Sequence, residues 1–390
     1  MQIRRDGRSA LTRRTPGIIP GMINRLYVHN YRCLENFELQ IAERPTSLLI
    51  GKNGAGKSTI GWALEIFQKI GRGTNRISDL VSRSDFARGR SDIPIRFELE
   101  AKIGERVFEF ALALELPIDF KELRVLEERL AVDGLTLYSR SGAQVLLTGT
   151  KKEREAKFLV DWHLVALPLI QEQSTADPLY IFKTWLKQML ILAPIPCLMS
   201  GDSEGETLTP DSRCTDFGAW FTGLLAQSPA AYTWIDEYLK GVMPDFKDIQ
   251  NPLVGKDSRS LTVQFQMDQA RLSLPFASLS DGEKCFFICA LIVASNQAYG
   301  PIFCFWDEPD DYLSLAEIGQ LMLALRRSFQ NRGQLLTTSH NPETMRKFSD
   351  DDILVLDRHS HLEPTIIRPL SDIQINGNLE DALIRGDVAL

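Results

Sequence analysis

One short run constrains this chain more than any other feature: Gly51-Lys52-Asn53-Gly54-Ala55-Gly56-Lys57-Ser58, a match to GxxxxGK[ST]. It follows an apolar run, Ser47-Leu48-Leu49-Ile50. It opens a segment, Lys57 to Ile70, whose Ile60, Ala63, Leu64 and Phe67 recur at helical spacing. Strand, glycine loop and helix start together form the setting in which backbone N–H groups wrap phosphate oxygens. Gly51, Gly54 and Gly56 let the backbone approach closely, with Asn53 and Ala55 completing the loop. Lys57 brings a charge to the β- and γ-phosphates and Ser58 a hydroxyl for Mg²⁺; Thr59, next in line, joins the set.

A second run, Ile302-Phe303-Cys304-Phe305-Trp306-Asp307-Glu308, is an apolar strand ending in two carboxylates. The C-terminal edge of a buried strand is where an α/β sheet meets its ligand. There Asp307 suits an indirect, water-mediated contact with Mg²⁺ and Glu308 suits polarising an attacking water. Leu279-Ser280-Asp281-Gly282-Glu283 precedes a helix expected at 283–298, with Ser280 as a helix cap or as part of an anion-binding helix start.

In this order and spacing the motifs resemble the ATPase head of the ABC superfamily. Ser280, Gly282 and Glu283 match its signature, and Thr337-Thr338-Ser339-His340-Asn341-Pro342 resembles its switch strand, which implies His340 as γ-phosphate sensor. Asn30-Tyr31-Arg32 and the form of the glycine loop are similar to the RecF, SMC and OLD branch, where the residue at Arg32 commonly touches nucleotide. The resemblance spans about residues 23–357. It implies ATP and Mg²⁺ as cofactors, catalysis by Glu308 and His340, and a homodimer or higher oligomer closed around shared ATP. It further implies a cytoplasmic switch in bacterial anti-phage defence or DNA repair. A separate nuclease or toxin would be its effector, and DNA or a phage protein its trigger.

Three departures stand out. Asp310-Asp311-Tyr312-Leu313-Ser314 replaces the Leu-His-Pro-like run of relatives. Residues 59–278 carry no long heptad arms, and the chain ends soon after the head, without room for a Toprim nuclease. Gln171, Gln173 and Gln188 are all open as the Mg²⁺-sensing glutamine. Two other readings share part of this logic. Against a transporter nucleotide-binding subunit stand the RecF-type opening and the lack of an aromatic adenine-stacking loop; a DNA-loading scaffold stays open.

The expected fold is α/β, an ABC-type head with a mixed or parallel core sheet, an antiparallel β lobe and a helical signature lobe. Residues 1–21 read as a basic disordered leader and 22–150 as the first part of the core with the β lobe. Residues 151–275 read as a mainly helical insertion, with helices at 178–191, 215–226 and 230–241, and 276–390 as the second part of the core. Hairpins are expected across Gly104 and Asp133-Gly134. The net charge of −7 argues against a protein that coats nucleic acid, and the longest apolar run, 285–294, is about half a membrane span. Cys285, Cys289 and Cys304 lie in apolar runs and read as core. His29, His163, His359 and Lys52 read as solvated or core residues, and Trp185, Trp220 and Trp234 as packing.

Overall fold

The computed structural model describes residues 19–148 and 156–373, so most of the basic leader lies outside the described residues. β1 (Gly21–His29), β2 (Phe37–Gln40) and β3 (Thr46–Gly51) lead into α1 (Lys57–Gly71). Then come β4 (Ile95–Ile103), β5 (Arg106–Glu115), β6 (Arg124–Val132), β7 (Leu135–Ser141), β8 (Gln144–Leu147) and β9 (Ala156–Leu159). The middle of the chain carries α2 (Pro178–Gln188), β10 (Leu190–Leu192), β11 (Asp202–Ser203), α3 (Phe217–Gln227) and α4 (Ala231–Val242). It continues through β12 (Phe246–Gln250), β13 (Leu253–Val254), β14 (Ser258–Ser260), β15 (Thr262–Met267) and β16 (Ala270–Pro275). The last third alternates helix and strand: α5 (Asp281–Ala298), β17 (Phe303–Trp306), α6 (Leu315–Phe329), β18 (Gln334–Thr338), α7 (Pro342–Met345), β19 (Ile353–Asp357) and β20 (Ile366–Pro369).

Two large sheets organise these elements. An antiparallel sheet runs β2-β1-β4-β5-β6-β7-β8-β9, and a mostly parallel one runs β10-β17-β18-β3-β19-β20, with β20 antiparallel at its edge. The first follows from alternation: β4 buries every second residue, Ile95, Phe97, Leu99, Ala101 and Ile103. Its β6–β7 turn places Asp133 at φ 50° and Gly134 at φ 78°, the paired left-handed conformation of a tight hairpin. The parallel strands β10, β17, β18 and β19 are buried at every residue because both faces are covered, and their centres are apolar. Leu49, Phe303, Phe305, Leu354 and Leu356 face the core shared with the antiparallel sheet, α1 and α2. Leu48, Ile50, Cys304, Trp306 and Val355 face the other, filled by α3, α4, α5 and α6. Trp185 and Trp220 are buried in these cores and Trp234 packs against the second.

The middle of the chain departs from expectation. Alongside its helices it holds two small antiparallel sheets, β11-β14-β13 and β12-β15-β16. The helix expected to run to residue 191 stops at Gln188, and Leu190–Leu192 pair in parallel with Cys304–Trp306. Periodicity cannot separate a three-residue buried strand from the end of an amphipathic helix; only the partner strand decides.

Candidate functional site

β17, β18 and β3 are adjacent and parallel, so their C-terminal ends open on one edge of the sheet. Asp307-Glu308, Ser339-His340 and the glycine loop leave from those three ends. The loop conformation requires its glycines: Gly51, Gly54 and Gly56 have φ 155°, 83° and 104°. A Cβ on Gly56 would sit 2.8 Å from Cys33 Sγ and 3.0 Å from Thr365 Oγ1. Thr365 braces the loop from behind, its hydroxyl donating to the Ala55 carbonyl at 2.8 Å. Gly56 is the N-cap of α1 and offers no side chain to its first turn, so the amides of Lys57, Ser58 and Thr59 stay available to an anion.

A cleft of about 830 Å³ opens at this edge, lined among others by Arg32, Asn53, Gly54, Gly56, Lys57, Ser58, Thr59 and Glu308. Lys57 is buried, with its Nζ donating to the Gly51 carbonyl at 3.0 Å and lying 3.5 Å from Glu308 Oε1. The same Glu308 oxygen lies 3.4 Å from His340 Nδ1. Asp307 accepts hydrogen bonds from Thr338 Oγ1 at 2.6 Å and from Ser58. Burial pushes its carboxyl above the ordinary range against those two bonds. A half-buried carboxylate joined to a serine hydroxyl is a hard, oxygen-only donor set, which fits Mg²⁺.

Thr338 also accepts the Glu308 amide at 2.8 Å, and so sets both carboxylates. Asp311 joins Glu308 and His340 in a cluster whose polar atoms lie within 4.8 Å of one another. Burial first, then the neighbouring Glu308 charge, pushes the Asp311 carboxyl up to about 6. Asp310 faces elsewhere: it is buried and accepts from the hydroxyls of Ser339 and Thr344, tying the loop after β17 to the switch segment.

Two family models match the chain. "AAA ATPase domain" covers residues 22–124, with the glycine loop, and "AAA domain, putative AbiEii toxin, Type IV TA system" covers 225–346, with Ser280, Asp307, Glu308 and His340. Among solved structures, an SMC head bound to the C-winged helix domain of ScpA aligns with 90% of this chain and 98% of its own, at 13% identity and TM-score 0.50. The chain has the fold of an SMC head, and AAA-type family models match two stretches of it. A second SMC head, derived from Pyrococcus furiosus and bound to the C-terminal domain of ScpA, aligns over 90% and 97% at 11% identity and TM-score 0.49. The SMC head domain from Thermotoga maritima aligns over 90% and 99% at 14% identity and TM-score 0.43. No curated protein sequence matches.

In this head, Ser280, Gly282 and Glu283 stand apart from the residues that line the cleft. Ser280 caps α5, accepting the Glu283 amide at 3.3 Å while the Glu283 carboxylate accepts the Ser280 amide at 2.7 Å. Gln171, Gln173 and Gln188 do not line the cleft either, and Gln188 instead accepts the Ile19 amide at 3.4 Å. His29 and His163 serve locally, bonding Asn36 N and Leu123 O. Among the described residues, no helix is long and apolar enough to cross a membrane.

Sequence reasoning missed Thr338 and Thr365 as braces, and Trp62 in the cleft wall. Thr338 carried a signal, one residue before Ser339-His340 at the end of an apolar strand. Trp62 did too, since it falls off the buried stripe of its own helix.

Proposed function

We propose that this head binds Mg-ATP at the glycine loop and hydrolyses it as a slow, nucleotide-gated dimeric switch. The observation that supports this best is the convergence of Lys57, Glu308 and His340 through one Glu308 oxygen, beside the Ser58–Asp307 pair. Lys57 and the amides of the first α1 turn hold the phosphates, with Arg32, Asn53 and Thr59 along the cleft. Ser58 and Asp307 hold Mg²⁺, which supplies charge neutralisation at the phosphates when bound. Glu308 orients water and accepts its proton, and His340 reports the γ-phosphate. Arrival of the phosphates draws Lys57 away from Glu308, which frees the carboxylate as a base.

Ser280, Gly282 and Glu283 complete the site of a second copy, where the α5 N-terminus supplies the second half of the phosphate cradle. Two copies then close around two nucleotides. The toxin-system description of the family matched over 225–346 fits a place in a bacterial defence module; a role in DNA repair is the other reading, and a separate nuclease or toxin effector rests on the resemblance alone.

Lys57→Ala removes the charged hydrogen bond, about 1.5–3 kcal/mol, so Mg-ATP affinity is expected to fall roughly tenfold or more. Calorimetric titration measures this, and unchanged affinity would remove the phosphate-loop assignment.

A further inference from the structure

Trp62 stands one helical turn, about 6 Å of axis, beyond Ser58. The buried stripe of α1 runs through Ile60, Ala63, Leu64, Phe67 and Ile70, and Trp62 lies off it, 42% exposed in the wall of the cleft. A tryptophan that contributes nothing to the core, on the open side of a nucleotide cleft, is an aromatic surface without a packing role. Facing it is Arg32, whose guanidinium carbon lies 4.0 Å from the Trp62 ring centroid.

That stack is built in advance. Arg32 takes the left-handed backbone conformation, φ 53°, and its amide donates to the Asp85 carbonyl at 2.6 Å. Its Nε donates to Asp85 Oδ1 at 2.8 Å, and the other Asp85 oxygen is held by the amide and hydroxyl of Ser82 at 2.8 and 2.9 Å. Asp85 is itself buried, so the guanidinium plane is fixed from behind. An indole and a guanidinium plane share one ability, which is to stack on a flat π-system. Neither orients water or holds a divalent cation.

Resting on the reading of the glycine loop as a nucleotide site, we propose that Trp62 and Arg32 form the platform for the nucleobase. The phosphates are anchored at the start of α1, and the nucleoside lies along the helix toward Trp62, with its ring continuing the Trp62–Arg32 stack. The ligand class is a nucleoside triphosphate held by its base through stacking, a mode tolerant of base identity.

The test compares full-length wild type, Trp62→Ala, Trp62→Phe and Lys57→Ala by calorimetric titration with Mg-ATP and, separately, with magnesium tripolyphosphate. Trp62→Ala is expected to bind ATP about tenfold more weakly while holding tripolyphosphate within about twofold of wild type, and Trp62→Phe to recover most of the loss. Two results overturn the platform with the glycine-loop reading intact: unchanged ATP affinity in Trp62→Ala, or equal losses for both ligands. If Lys57→Ala binds both ligands as wild type does, the glycine-loop reading itself fails and the platform falls with it.

Discussion

Glu308 sits at φ 48°, a backbone conformation that β-substituted residues occupy at a cost of about 1–3 kcal/mol. Its amide bond to Thr338 offsets part of that strain and holds the carboxylate between Lys57 and His340. Of the carboxylates that follow β17, Glu308 alone takes this conformation, whereas Asp310 is buried and bonded to Ser339 and Thr344. Glu308→Gln retains shape and hydrogen bonding but removes the base. Steady-state hydrolysis is expected to fall about 10²–10⁴-fold while ATP still binds. Wild-type turnover in that variant would move the base elsewhere. Asp311, in the same cluster, would then be the next residue to replace; Asp310 is engaged by Ser339 and Thr344.

At the scale of elements, one buried polar side chain ties the two large sheets together beside their shared apolar core. β1 carries a bulge between Ile23 and Arg25, and Gln334 at the start of β18 fills it. Its Oε1 accepts the Ile23 amide at 2.7 Å, and its Nε2 donates to the carbonyls of Ile23 and Ile41 at 3.1 and 2.9 Å. Gln334→Leu would strand these buried backbone groups, each costing about 1–3 kcal/mol. Urea unfolding should therefore show a loss of about 2–5 kcal/mol, and a loss below about 1 kcal/mol would mean that water or relaxation replaces the glutamine. α5 raises a related point. Ser280 is both its cap and the proposed trans-acting group, so any Ser280 variant needs a stability measurement beside its activity.

For the whole molecule, Ser280 does not line the cleft of its own chain, which motivates the proposed site shared between two copies. Ser280→Arg should spare ATP binding by the single chain yet abolish hydrolysis and ATP-dependent dimerisation. Mixed with Lys57→Ala chains, each heterodimer holds one intact site, in which wild-type Lys57 of one chain meets wild-type Ser280 of the other. Hydrolysis per heterodimer should recover to about half of wild type if the sites are independent, and less if they are coupled. Light scattering of Glu308→Gln protein with and without Mg-ATP reads the assembly itself. Identical masses in both conditions, with full activity in Ser280→Arg, would sink the shared site.

What the sequence by itself determined was local. The GxxxxGKS loop, the Asp-Glu pair after an apolar strand, the Ser280–Glu283 cap and the Asp133-Gly134 turn all lie within a few residues. Backbone conformation and hydrogen bonding at that range depend on residue type alone. Their elements fall where periodicity placed them, β3, α1, α5, β17 and β18 among them. The tertiary structure decided the rest because it depends on partners far along the chain. Leu190–Leu192 become a strand only against Cys304–Trp306, and Thr365 braces a loop 310 residues away. Trp62 becomes part of a stack only because Asp85 holds Arg32 in place, and neither of those contacts leaves a periodic trace in the sequence.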